Sequence, residues 1–445
     1  MHMLQMNVAV FLISMLSGCA VVGTPALPEQ AGMGPTPQLP QPEKRLFPTV
    51  NIAPAKGWPR GAKPIAPQGF TVSAYASGLD HPRWLYVLPN GDVLVAETDA
   101  PAKPDDMKGV KGLAMKAVMK KAGAGVRPSA NRITLLRGVD ADGVAAVKSV
   151  FMSSLNSPFG MALVGNNLYV ADTDAIRRYA YKEGQTEINE AGVKAVDLPA
   201  GSINHHWTKN ILASPDGKFL YATVGSNSNV GENGMDKEES RAGILQVDLD
   251  AGKSRTYASG LRNPNGMGWQ PHSGQLWTVV NERDELGNDL VPDYLTSVKE
   301  GGFYGWPYSY YGQHVDERVE EKRPDLVAGA IIPDYALGSH TAPLGLAFYD
   351  GKQFPAEYAG GAFIGLHGSW NRTPRSGYKV IFVPFFDGKP SGLPKDFLTG
   401  FLSDEGDAYG RPVGVAVDKT GSLLVADDVG NVVWRVAPNL ASQSK

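Results

Sequence analysis

The chain has 445 residues, with 42 Lys and Arg against 45 Asp and Glu, a net charge of −3 and a pI near 6.3. Nothing in that balance draws it to nucleic acid. Its 52 glycines and 33 prolines suit a turn-rich β protein better than a helical one, and a single cysteine excludes an internal disulfide.

Taken in order, the chain opens on a short apolar run, Val8–Leu16, that closes on Leu16-Ser17-Gly18-Cys19. A short apolar segment ending in small residues reads as a secretory signal over 1–18 rather than a membrane span. Its ending resembles the bacterial lipobox, in which the cysteine is lipidated. That implies Cys19 as an anchor and a lipid-attached protein of the cell envelope, facing the periplasm or the outside. No Lys or Arg precedes the apolar run, which departs from that pattern. Residues 19–66 are rich in Pro, Gly and Ala without apolar periodicity, and read as an extended tether that holds a globular head away from the membrane.

From residue 67 the pattern changes to strands. Gly69–Gly78 alternates and is expected as an outer strand of a first blade. A hairpin unit then recurs six times. His81-Pro82-Arg83 leads into WLYVL and returns through VLVAETD; Ser157-Pro158-Phe159-Gly160 leads into MALV and returns through LYVADTD. His206-Trp207 opens the third and Arg262-Asn263 the fourth; Ala342-Pro343-Leu344-Gly345 and Arg411-Pro412-Val413-Gly414 open the last two. Copies spaced by about 50 residues or more fit four-stranded blades with insertions, so residues 67–438 are expected as an all-β, six-bladed β-propeller, with 439–445 a flexible tail. The insertion Ala100–Ala130 carries MKGVKGLAMKAVMKK at helical spacing, a surface helix or a contact for anionic lipid or an acidic partner.

In each hairpin the first strand starts at the edge to which the second returns. The residues before the first strands and after the second strands therefore share one rim: His81, Arg83, His205, His206, Arg262, Asn263, His340 and Arg411, with Asp172, Asp174, Glu282–Asp293, His367–Arg375, Asp427 and Asp428. Imidazole serves as a general base near neutral pH, arginine pairs with carboxylates, and carboxylates with backbone carbonyls suit a hard cation.

The run His205–Trp306 resembles the soluble pyrroloquinoline-quinone (PQQ) dependent aldose dehydrogenases, and most of all their sorbosone dehydrogenase branch. The resemblance rests on His206 before Ile211–Gly217, on Gly260-Leu261-Arg262-Asn263-Pro264, and on Asn281-Glu282-Arg283-Asp284 with Gly287–Tyr294. Gly301–Pro307, His367-Gly368-Ser369-Trp370-Asn371-Arg372 and Gly410-Arg411-Pro412 complete it. It implies PQQ and calcium as cofactors and the oxidation of an aldose or aldehyde-type sugar, with electrons passed to an unidentified acceptor. His206 then matches the base that takes the hydroxyl proton as hydride leaves for the quinone. Arg262, Asn263 and Arg411 match cofactor contacts, Arg411 beside the developing oxyanion, and Arg372 matches a cofactor-binding lysine loosely. Calcium is implied at the Glu282–Asp289 loop, through its carbonyls and through Glu282, Asp284 and Asp289. His205, Phe159 and His340 fall where substrate contacts lie in the glucose enzyme but differ in type, so glucose is not implied. Two other classes stay open: a calcium-dependent lactonase using Asn263 and the acidic run, and a non-catalytic envelope lipoprotein that binds another protein.

Overall fold

The computed structural model describes residues 25–43, 49–101, 121–123 and 128–439. Six four-stranded antiparallel sheets follow one another along the chain as the blades of a propeller. Their innermost strands are Pro82–Val87, Met161–Val164, Ile211–Ala213, Asn263–Trp269, Pro343–Phe348 and Pro412–Val417. The hairpin that follows each of them is the recurring unit of the sequence.

Both faces of a blade are covered by its neighbours, so the second strands read as unbroken apolar runs rather than alternations. Val93–Glu97, Leu423–Asp427 and Ala362–Leu366 are buried along their whole length. The core is divided accordingly into clusters between adjacent blades. Leu85, Val95, Leu424 and Val433 join blade six to blade one, and Trp277, Leu295, Leu346 and Ile364 join blade four to blade five. Toward the axis the inner strands approach closely. A Cβ at Gly345 would lie 2.3 Å from the Val413 carbonyl, and one at Gly160 2.3 Å from the Ile211 amide. That contact explains the glycine closing the Pro-x-Gly openings of the repeat.

Two expectations are corrected. Phe70–Ser77 is an outer strand, but of the sixth blade: it pairs antiparallel with Val432–Pro438, Phe70 opposite Pro438 and Ser77 opposite Val432. The ring is thus closed by joining the start of the propeller to its end. The described part of the segment read as a tether also does not stand away from the head. Met33–Gly34 adds a fifth strand to blade four, opposite Leu337 and Ala336. Asn51 donates its amide to the Trp370 carbonyl at 2.7 Å, and Ile65 bridges to Thr399. Trp58 packs edge-on against Phe401 and Trp434, and its indole N–H donates to Asp427 at 2.6 Å. The segment is an arm laid over blades four, five and six. Cys19 and nearly all of the lysine-rich insertion lie outside the described residues. Among the described residues no helix is long and apolar enough to cross a membrane.

Candidate active site at the propeller mouth

His206 sits on the segment entering blade three. Its Nδ1 donates to the Ser226 carbonyl at 2.7 Å, which leaves the lone pair on Nε2. The Ser226 hydroxyl donates to the Ser228 carbonyl and lies 3.3 Å from the same Nδ1. Gly225 brings the neighbouring groups together: a Cβ there would lie 2.4 Å from the His206 Cβ and 2.3 Å from the Asn263 Oδ1. Beneath this segment Lys209, fully buried, points its ammonium at the carbonyls of His206 and Trp207, each at 3.3 Å, and at Asn204. Burial, and then the charge of Arg241, push its pKa well below the ordinary lysine value.

Around the rim the contacts pass from blade to blade. Arg262 donates to the Glu282 carbonyl at 2.6 Å, to the Asn229 side chain at 3.0 Å and to Asp284 at 3.5 Å. Asp284 also accepts from Asn371 at 2.7 Å and lies 3.5 Å from His340 Nδ1. Burial works to raise the Asp284 pKa, but His340, Arg262 and Asn371 outweigh it and hold the carboxyl at about 2. For His340 the burial penalty lowers the pKa, yet the hydrogen bond and charge of Asp284 leave it raised overall. On the far side Asp428 receives His367 Nε2 at 2.9 Å and Arg83 at 2.8 Å, with His81 Nε2 at 3.6 Å. Burial opposes ionisation of Asp428, and the surrounding His367, His81 and Arg83 reverse the sign and hold its pKa far below the carboxylate range. The Arg83 guanidinium lies 5.9 Å from the Trp207 ring, which brings the circuit back beside His206.

Several buried atoms on this rim have no hydrogen-bond partner within the protein: the donors Arg83 Nε and Arg411 Nε, and the acceptors Asn263 Oδ1, Asn371 Oδ1 and Asp428 Oδ1. Unsatisfied buried polar groups cost stability, and a ring of both kinds around one opening suits a ligand carrying anionic groups and hydrogen-bond donors. A planar tricarboxylate quinone has that chemistry, so these residues fit PQQ. Of these, Arg411 and Asn263 were expected from the sequence as cofactor contacts, whereas Arg83 and Asp428 were expected only on the rim and Asn371 only within a matching motif.

Other expected site residues are placed differently. Phe159 is fully buried, its ring tilted against Trp84 with centroids 4.8 Å apart beneath the rim, and cannot reach a substrate. His340 is held between Asp284 and the Gly287 carbonyl, 2.9 Å from Nε2, which commits both ring nitrogens to protein partners. His205 is half-buried beside His206. Arg372 spends its guanidinium on the carbonyls of Asn288, Pro374 and Leu27 and on Asp289 at 3.0 Å. Glu282, Asp284 and Asp289 do not converge on one point. Glu282 pairs with Arg283, Asp284 with Arg262 and Asp289 with Arg372. Among the described residues no group of three or more acidic, His or Cys side chains could hold a metal ion. The carboxylate metal set expected from the sequence is therefore not formed.

Comparison with known proteins bears on the family and the fold. The model of the glucose/sorbosone dehydrogenase family matches residues 164–368, and a TrAA12-like model matches 317–439. An uncharacterized protein of Borreliella burgdorferi is 32% identical over 297 residues, 64% of this chain and 76% of its own length. Aldose sugar dehydrogenase YliI of Escherichia coli is 31% identical over 174 residues, 36% of this chain and 44% of that protein. The holo form of the PQQ domain of pyranose dehydrogenase from Coprinopsis cinerea shares the fold, with a TM-score of 0.67 at 20% identity over 87% of this chain and 100% of that domain. The chain belongs to the glucose/sorbosone dehydrogenase family of six-bladed propellers.

Proposed function

We propose that the protein is a PQQ-dependent dehydrogenase that oxidises an aldose or aldehyde-type sugar, with His206 as the base. The observation that carries this reading is the tautomer of His206. With Nδ1–H committed to the Ser226 carbonyl, the lone pair sits on Nε2, and the His206 Cβ and the Asn263 Oδ1 both border Gly225. PQQ, when bound, supplies the two-electron acceptor; the protein supplies position and field. Arg411 and Arg83 offer the unmatched N–H donors for its carboxylates, and Asn263 an acceptor. His206 removes the hydroxyl proton as the carbon gives up its hydride. Lys209 and Ser226 hold the imidazole and its backbone in place from below. Arg411 lies 5.3 Å from the Tyr378 ring, with its Nη2 on the Ala53 carbonyl, so the guanidinium is fixed before any ligand arrives.

The test is turnover with dye as acceptor, measured on protein reconstituted with PQQ across a panel of aldoses and aldehydes. The His206→Ala variant is expected to keep PQQ binding and lose about a hundredfold or more in turnover. The His205→Ala variant is expected to change mainly the apparent substrate affinity. Near-normal turnover in His206→Ala would remove the base assignment. A parent that neither binds PQQ nor reduces dye would remove the whole reading.

A further inference from the structure

We infer that the loop from Glu282 to Asp289 is a cation site filled by the protein itself, so that this chain binds its ligand at the mouth without calcium. Calcium takes six to eight oxygen ligands, and a site for it must leave several oxygens turned toward one empty point. Here five of the loop's carbonyls are turned toward nitrogen donors, and of its acceptors the buried Glu282 Oε1 is left without a hydrogen-bond partner. The Glu282 carbonyl accepts from Arg262 at 2.6 Å, and the Asp284 carbonyl from Arg318 at 2.8 Å and Asn229 at 3.2 Å. The Leu286 carbonyl accepts from the Glu43 amide at 3.0 Å, the Gly287 carbonyl from His340 at 2.9 Å, and the Asn288 carbonyl from Arg372 at 3.0 Å.

A carbonyl has two lone pairs, so one hydrogen bond does not by itself forbid a metal bond. The deciding feature is the charge of the donors. Three of these five carbonyls are held by guanidinium groups and a fourth by the imidazole of His340. A divalent cation on the same oxygens would sit within a few ångströms of all of them. The acidic side chains are matched in the same way. Arg283, with no exposed side-chain surface, lies 3.0 Å from Glu282 and 3.2 Å from Asp316; Arg318 completes the Asp316 pair at 2.8 Å. Asp284 has Arg262 and His340, and Asp289 has Arg372 together with the Leu27 amide at 2.8 Å. Glu282, Asp284, Asp289 and Asp316 thus face four arginines and a histidine, and the neighbouring Asp293 is spent on the amides of Glu282 and Ala342 and the hydroxyl of Thr341. Arg318 and Arg372 come from segments distant in sequence, and Leu27 and Glu43 from the arm, so the loop is closed from several sides.

The experiment uses the full chain, stripped of metal by chelator and desalted. Calcium is titrated in by calorimetry, thermal unfolding is followed in millimolar calcium and in EDTA, and PQQ is titrated by quenching of protein fluorescence in both buffers. The expected result is no calcium binding, one unfolding midpoint in both buffers and one PQQ affinity in both. Micromolar calcium binding, a midpoint raised by calcium, or PQQ binding seen only with calcium would overturn the inference. Calcium silence together with no PQQ binding in either buffer would uphold the self-filled loop but remove both the quinone reading above and the calcium-free binding that rests on it.

Discussion

Asp428 carries more of the mouth than its place in the sequence suggests. One carboxylate of blade six is shared by two histidines and an arginine drawn from blades one and five, and its Oδ1 remains without a partner. Burial pushes its neighbour His367 from the ordinary 6.5 down to about 4, while the charge and hydrogen bond of Asp428 pull the other way. The unfolded chain therefore takes up a proton near pH 6.5 that the native imidazole refuses until about pH 4. His367 leaves stability untouched above pH 6.5 and lowers it progressively as pH falls toward 4. Titration of the His367 ring protons by NMR should give a midpoint near 4, and a lower one in Asp428→Asn, where the upward pull is lost. A midpoint near 6.5 in the parent would contradict the burial argument. The rim placement of His206, Arg262 and Asn263 was legible in the sequence because they stand at a repeated position, before or at the start of an inner strand. The Asp428 cluster was not, because its contacts span 345 residues to Arg83 and 61 to His367. The Asp427-Asp428 doublet marks the rim, but no spacing shows which bases it serves.

At the scale of elements the hairpins were plain and their partners were not. Alternation in Phe70–Ser77 announces a strand, but nothing local says that it pairs with Val432–Pro438. The arm was misread for a related reason: its contacts are single backbone hydrogen bonds and isolated anchors, which leave no periodic trace. Trp58 is the largest anchor, touching Phe401, Trp434 and Tyr409 with ring centroids 5.2 to 5.8 Å away. Replacing it by alanine removes that packing and one of two indole donors to Asp427 Oδ2, the other being Trp434. A loss of about 3 kcal/mol in denaturant unfolding is expected from a large aromatic in a packed position. An unchanged midpoint in Trp58→Ala would show that the arm is a free tether after all. The arm also lies against the mouth, since the Leu27 carbonyl accepts from Arg372 and the Ala53 carbonyl from Arg411. Two arginines read from sequence as cofactor contacts are thereby positioned by a stretch read as linker.

For the whole molecule, the docked arm changes what an anchor at Cys19 would do. A tether of residues 19–66 would let the head range far from a bilayer. With Leu27 bound to Asp289 and Arg372 at the rim, only the steps from Cys19 to Leu27 remain between a lipid and the mouth. Those eight residues, at about 3.3–3.6 Å each when fully extended, span at most about 29 Å. We propose that the protein is lipidated at Cys19 in the cell envelope and that its mouth therefore works close to the membrane surface, within reach of an electron acceptor held there. The proposal rests on Leu16-Ser17-Gly18-Cys19 and on the contacts of Leu27. Expressed in a bacterium that processes lipoproteins, the protein should partition into detergent, and Cys19→Ser should move it to the aqueous phase with its fold unchanged. Partitioning that survives in Cys19→Ser would shift the attachment to another part of the chain, with the lysine-rich insertion Met107–Lys121 the next segment to delete.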